Sequence, residues 1–137
     1  MEENLHLLSM YGRGDETQVL LEVNGNGDID TRDTRGWAPL HYACDYGQTI
    51  IVEILIQHGV DVDKTNKDGH TPLHLATRTG HVGIIRLLLD AGADPDARDE
   101  HGCTALDLLP HNRPSRGEIA DLFFEYTRNQ SQNTPGI

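Results

Sequence analysis

Large aromatic side chains are scarce: one tryptophan, two phenylalanines and four tyrosines among 137 residues. A core organised around big rings is thereby excluded. The 36% hydrophobic content is too high for a disordered chain and must be assembled from many small Leu, Ile, Val and Ala contacts. Cysteine is nearly absent. Cys44 and Cys103 stand far apart, too few for a disulfide framework, which predicts a reduced intracellular protein, cytoplasmic or nuclear. Positive charge is in short supply as well: 11 Lys and Arg against 22 Asp and Glu leave a formal net charge of −11. Such a balance repels a phosphate backbone or an anionic bilayer, so neither nucleic acid nor membrane is expected as a partner. It favours solubility and a basic partner surface. No segment approaches the ~20 apolar residues that span a bilayer. Residues Met1 to Met10 lack a basic start and a long apolar stretch, which predicts no secretory leader.

What the chain does contain is a period. Gly36, Gly69 and Gly102 are 33 residues apart. Leu40, Leu73 and Leu106 keep the same offset, as do Asp28, Asp61 and Asp94, then Asp30, Asp63 and Asp96, and then Gly14, Gly47 and Gly80. A fixed period of this length marks a stack of similar supersecondary units. Within each unit the local chemistry is readable. Pro39 and Pro72 suit a first helical turn, where the missing N–H has no partner anyway. Thr71, just before Pro72, is a helix cap. Leu40, Ala43 and Cys44 recur at helical spacing, as do Leu73, Ala76 and Thr77, and mark buried faces. Gly47 and Gly80 end the short first helices. Second helices follow, with stripes Ile51, Val52, Leu55, Ile56 and Ile84, Ile85, Leu88, Leu89, closed by Gly59 and Gly92. Polar segments GVDVDKTNKDG and GADPDARDEHG then read as extended turns.

The segment Asp68 to Ala76 reads DGHTPLHLA and Gly80 to Asp94 reads GHVGIIRLLLDAGAD. Together with RGWAPLHYACDYGQTIIVEILIQHGVDVD before them, they resemble the ankyrin repeat, including its Thr-Pro-Leu-His tetrad at Thr71 to His74. Ala38 stands in the threonine position of the preceding unit. The resemblance runs from about Asn4 to Tyr126 and implies an all-α helix-turn-helix solenoid with β-hairpin fingers. Four units are expected: a capping unit at 1–34, two full units at 35–67 and 68–100, and a second cap at 101–128. A disordered tail follows at 129–137. The first cap lacks the tetrad, and Glu22 replaces a core leucine. The last keeps Thr104-Ala105-Leu106-Asp107 but loses the proline and histidine, and places Ile119, Leu122 and Phe123 inward on a helix from Glu118 to Tyr126. No unit buries its own apolar face, so stacking supplies the core.

Eight histidines invite a metal reading, but no Cys/His cluster has zinc spacing. The resemblance instead gives His41 and His74 the role of bridging neighbouring turns, with one bond to the tetrad threonine. His41 should lack that bond, which would weaken the second unit slightly. His81 falls at a structural place in the family. Cys44 reads as an apolar filler, and Cys103 as a weakly reactive exposed thiol. No phosphate-cradling GxxxxGK loop appears. Neither catalysis, cofactor nor metal is expected.

The family binds partners on a concave face made by finger tips and first helices. Carried onto this chain, that face takes Arg32, Arg35, Trp37, Tyr42, Asp45 and Tyr46 from the second unit. The third contributes Lys67, His70, Arg78 and Thr79, and the fourth Glu100 and His101. Thr34, Thr65, Asp68, Arg98 and Cys103 fall at further variable positions of the same face. The sole tryptophan and two of the four tyrosines converge there, and Trp, Tyr and Arg are the residues most enriched at binding hot spots. These rings have no packing task in the fold on this reading. The expected function is a monomeric interaction module or adaptor for another protein. The alternative is a steric inhibitor of an enzyme, suggested by an architectural likeness to the small ankyrin inhibitors of cyclin-dependent kinases.

Overall fold

The computed structural model describes residue 29 and residues 32–132, with side chains through residue 128. The first cap, with Gly14, Glu22, Asp28 and Asp30, lies outside the described residues apart from its last few positions, as do residues 133–137. Helices α1 (Pro39–Asp45), α2 (Thr49–Gln57), α3 (Pro72–Thr79) and α4 (Val82–Asp90) are followed by a 3-10 turn (Leu106–Leu108) and α5 (Arg116–Gln132). Helix α1 packs on α3 and α3 on the 3-10 turn, forming an inner layer. Helix α2 packs on α4 and α4 on α5, forming an outer layer.

Local sequence sets these elements. Proline opens α1 and α3. The Thr71 hydroxyl accepts from the His74 amide at 3.2 Å, whereas Ala38 offers no acceptor to α1. Gly80 ends α3 in the left-handed conformation at φ 79°, which a side chain would strain. Between the layers lies one apolar seam: Leu40, Ala43 and Cys44 with Ile51, Val52 and Leu55, then Leu73 and Ala76 with Ile84, Ile85, Leu88 and Leu89. Each such leucine or isoleucine contributes about 1.5–3 kcal/mol through burial, more than a helix cap at about 1 kcal/mol. Ile56 is only partly buried against this core.

The fingers depart from hairpins. Their turns close through Asp33 N–H to Trp37 O at 3.0 Å, Asn66 N–H to His70 O at 3.1 Å and Asp99 N–H to Cys103 O at 2.9 Å. Neighbouring fingers are joined by Lys67 N–H to Arg35 O at 3.2 Å and Glu100 N–H to Asp68 O at 3.1 Å. No strand forms among the described residues. The reason is that side chains take amides a strand partner would otherwise hold: Asp33, Asn66 and Asp99 each accept two backbone N–H groups of their own turn. Fingers also touch closely. A Cβ on Gly36 would lie 2.9 Å from Lys67 N, and one on Gly69 2.8 Å from Glu100 N, both at φ 77°.

The last unit differs from the other two in its first helix, which shrinks to the 3-10 turn. Thr104 and Asp107 still cap each other, the Thr104 amide donating to Asp107 Oδ2 at 2.9 Å. Pro110 then stops the element: it lacks an N–H and pushes Leu109 to ψ 118°, as proline does to the residue before it. Helix α5 runs past Tyr126 to Gln132, so the backbone at 129–132 is helical where a disordered tail is expected. Thr127 to Gln132 contains neither glycine nor proline, and nothing there breaks the helix.

Candidate functional site

The inner layer and the finger tips of the second and third units hold most of the residues predicted for partner binding. At their centre is a stack of rings. The Arg35 guanidinium carbon lies 4.9 Å from the Trp37 ring centroid and 5.9 Å from that of Tyr42. Trp37 and Tyr42 are 5.0 Å apart, and Tyr46 meets Tyr42 edge-on at 6.5 Å. Such tilted and edge-on geometries suit the ring quadrupoles, and an arginine over the indole adds a cation–π attraction.

Two expectations are corrected here. Tyr42 is only 4% exposed, so it supports the face rather than forming it. Trp37 and Tyr42 do have a packing task. Trp37 is half-buried, and the Tyr42 hydroxyl donates to Asp33 Oδ2 while accepting from Arg35 Nη2 at 3.0 Å. Asp33 in turn accepts the Arg35 and Trp37 amides, both at 2.9 Å. Burial pushes the Asp33 carboxyl up, but the Tyr42 bond and those two amides outweigh it and hold it below the usual carboxylate range. Burial raises the Tyr42 phenol. The relay from Asp33 through Tyr42 fixes Arg35 at the rim. Tyr46, at the end of α1, stays 51% exposed.

The remaining predicted residues fall into three groups. Asp45 and Arg78 are brought together across the units, Arg78 Nη2 donating to Asp45 Oδ1 at 3.1 Å. Thr79 is half-buried and turns its hydroxyl onto Leu75 O at 2.7 Å, which leaves it little to offer a partner. Arg32 reaches the next finger, donating to Thr65 O at 2.7 Å, and Lys67 is exposed beside Gly36. Glu100 and His101 pair at 3.5 Å on the outermost finger. His70 sits 3.3 Å from Asp99 Oδ2, where burial lowers its pKa against the pull of Asp99. Asp99, like Asp33, is raised by burial and lowered further by backbone amides, ending below the ordinary range. Sequence reasoning missed Asp33 and Asp99 as organisers of the face. The same 33-residue offset that picks out the glycines connects Asp33, Asn66 and Asp99, and would have found them.

The bridging histidines are structural. His41 accepts from the Ala38 amide at Nδ1, 3.0 Å, and its Nε2 reaches His70 O at 3.2 Å. His74 does the same between the Thr71 amide at 3.1 Å and Cys103 O at 2.9 Å, with the Thr71 hydroxyl a further 2.8 Å partner. His81 Nε2 lies 3.3 Å from Asp45 O, tying α4's start to α1. Cys44 is fully buried and its thiol is pushed up by burial. Cys103 is half-buried. Among the described residues no group of three or more His, Cys, Asp or Glu is placed to hold a metal ion. None of their helices is long and apolar enough to cross a membrane.

Comparison with known proteins agrees with this architecture. A stretch of 56 residues, 41% of the chain, is 44% identical to SMC5-SMC6 complex localization factor protein 1 of Bos taurus. The Homo sapiens and Mus musculus proteins of that name match over the same length at 42% identity. The stretch amounts to 5% of each relative, so the chain spans a small part of the length of these curated relatives. The family model described as ankyrin repeats (3 copies) matches residues 5–99, stopping before the unit whose first helix is reduced to a turn. The two stacked helix pairs, their linked fingers and this match establish that the chain belongs to the ankyrin-repeat family, a family of protein-interaction modules.

Proposed function

We propose that the chain is a non-catalytic adaptor that holds a partner protein against the inner face of its second and third units, centred on Trp37 and Tyr46. The observation that carries this reading is the ring stack: an arginine fixed over a tryptophan, with an exposed tyrosine beside it. A cluster of Arg, Trp and Tyr on a rigid support is what binding hot spots are made of, and little ordering is lost when the partner arrives. The interface would bury on the order of 1,200–2,000 Å² in total. A relative named for localising a complex fits a protein whose task is to bring others together. The inhibitor alternative rests on architecture alone, and no feature of the face favours it. An intracellular setting, cytoplasmic or nuclear, and a monomeric state complete the proposal.

The test is capture of partners by the intact chain and by a Trp37→Ala/Tyr46→Ala variant, each captured protein then being titrated in purified form. A true partner of this face loses about 2 kcal/mol or more of affinity. Unchanged affinity in a variant that remains folded by circular dichroism would move the interface elsewhere.

A further inference from the structure

The charge of the face runs against the charge of the chain. With a net charge of −11, a basic partner is the first expectation. Yet Arg32, Arg35 and Lys67 stand exposed on two adjoining finger tips, joined through the bond from Lys67 N–H to Arg35 O. The ion pairs seen among the described residues are His70 with Asp99, Arg78 with Asp45 and His101 with Glu100. None of them uses the three cations. Arg35 is also held ready: one guanidinium nitrogen is bonded to Tyr42 and its plane rests near Trp37. The remaining N–H donors of such a group bind a carboxylate two at a time. Asp33 attracts Arg35 electrostatically, but its carboxylate oxygens are taken by Tyr42 and two backbone amides rather than by a direct ion pair with one of the three cations.

We infer that this rim, Arg32, Arg35 and Lys67 beside Trp37 and Tyr46, receives a short acidic segment of a partner protein that carries a bulky apolar side chain. The proposal rests on the adaptor reading above and specifies the chemistry of its ligand. The segment is short because the positive patch is. Asp68 stands next to Lys67 on the same tip and Glu100 on the following one, and a long polyanion such as a nucleic acid would run on into them and into the acidic remainder of the chain. A few carboxylates end within the patch. The apolar side chain settles against Tyr46, whose ring is half exposed.

Labelled short peptides are the probes, since an extended segment is a recurrent form of peptide ligand. One is rich in glutamate, one in lysine and one in serine and glutamine, each with a central phenylalanine; single-stranded DNA of similar length is the fourth. Fluorescence polarisation with the full chain should show the glutamate peptide binding tightest, with affinity falling as salt rises. Arg35→Glu/Lys67→Glu should weaken it by about tenfold or more in protein that still melts cooperatively by circular dichroism, because neither side chain belongs to the apolar core. Tyr46→Ala should weaken it by a smaller factor. Preference for the lysine peptide, weakened by Tyr46→Ala, would overturn the acidic ligand and leave the binding face standing. Glutamate-peptide binding unmoved by any of these variants would overturn both. DNA binding as tight as the peptide's, or no binding of any probe, would overturn the acidic-segment inference.

Discussion

The second and third units are built on one plan and spend their polar groups differently. In the third, Thr71 caps α3 and its hydroxyl also meets the His74 ring. In the second, Ala38 does neither, and the His41 ring bonds the Ala38 amide, the His70 carbonyl and the Lys64 backbone without a threonine hydroxyl. The finger beside it has what its counterpart lacks. Asp33 uses both carboxylate oxygens, taking two amides and Tyr42. Asn66, one period later, uses its oxygen the same way, but its buried amide nitrogen has no partner in the structure, because Leu75 stands where Tyr42 would. Buried Thr77 likewise leaves its hydroxyl without a partner where the second unit has Cys44. The third unit therefore concentrates its bonds at the helix start, and the second concentrates them at the finger and carries the ring stack with them. The unit with the weaker cap is the one that carries the proposed binding face.

The largest test of this contrast is removal of the bridging histidines. His74→Ala deletes a ring bonded to Thr71 and Cys103 and leaves buried backbone groups unpaired, for an expected loss of about 3 kcal/mol. His41→Ala has no threonine hydroxyl bond to lose and should cost about 2 kcal/mol. Urea unfolding of the full chain at neutral pH measures both. Equal losses would show that the Thr71 hydroxyl adds nothing to the bridge.

Acid provides the next test and singles out the second unit. Burial drives His41 down to about 4 from its ordinary 6.5. The unfolded chain therefore takes up this proton first, so stability is highest above pH 6.5, falls as pH drops below it, and levels off below about 4. Between pH 7 and pH 5 the loss is about 2 kcal/mol. His70, also lowered by burial, adds to it in the same direction. Asp33 and Asp99, held below the usual carboxylate range, contribute stability that is lost only in stronger acid. A His41→Gln variant should lose less between pH 7 and pH 5 in thermal melts. An identical pH slope would remove His41 as the source.

Much of this was legible in the sequence, because a stack repeats its own constraints. The 33-residue offset, the prolines and the glycines place α1 to α4, and the tetrad with Ala38 in the threonine position foretells the missing cap. The face was legible only as a row of positions. Neighbour geometry decides which of them point outward, and there Tyr42 turned inward once Asp33 and Arg35 claimed its hydroxyl. The end of the last helix was misread for a local reason: the absence of a breaker in Thr127 to Gln132 lets α5 run on. Composition is silent about local charge, since a total of −11 says nothing of where the few cations gather.

The smallest effect is the most direct comparison of the two units. Ala38→Thr installs in the second unit the residue that the third already holds at the same register, where Thr71 is 2% exposed. The new hydroxyl would accept from the His41 amide and meet the His41 ring, completing the reciprocal cap. The expected gain is about 0.5–1 kcal/mol, and Thr71→Ala should lose a similar amount. Both are read as shifts in urea midpoint with an unchanged slope. A destabilising Ala38→Thr would mean that the site is filled by the packing of Trp37 and the finger. The alanine would then be a requirement of the ring stack, and the weaker cap a consequence of how the proposed binding face is built.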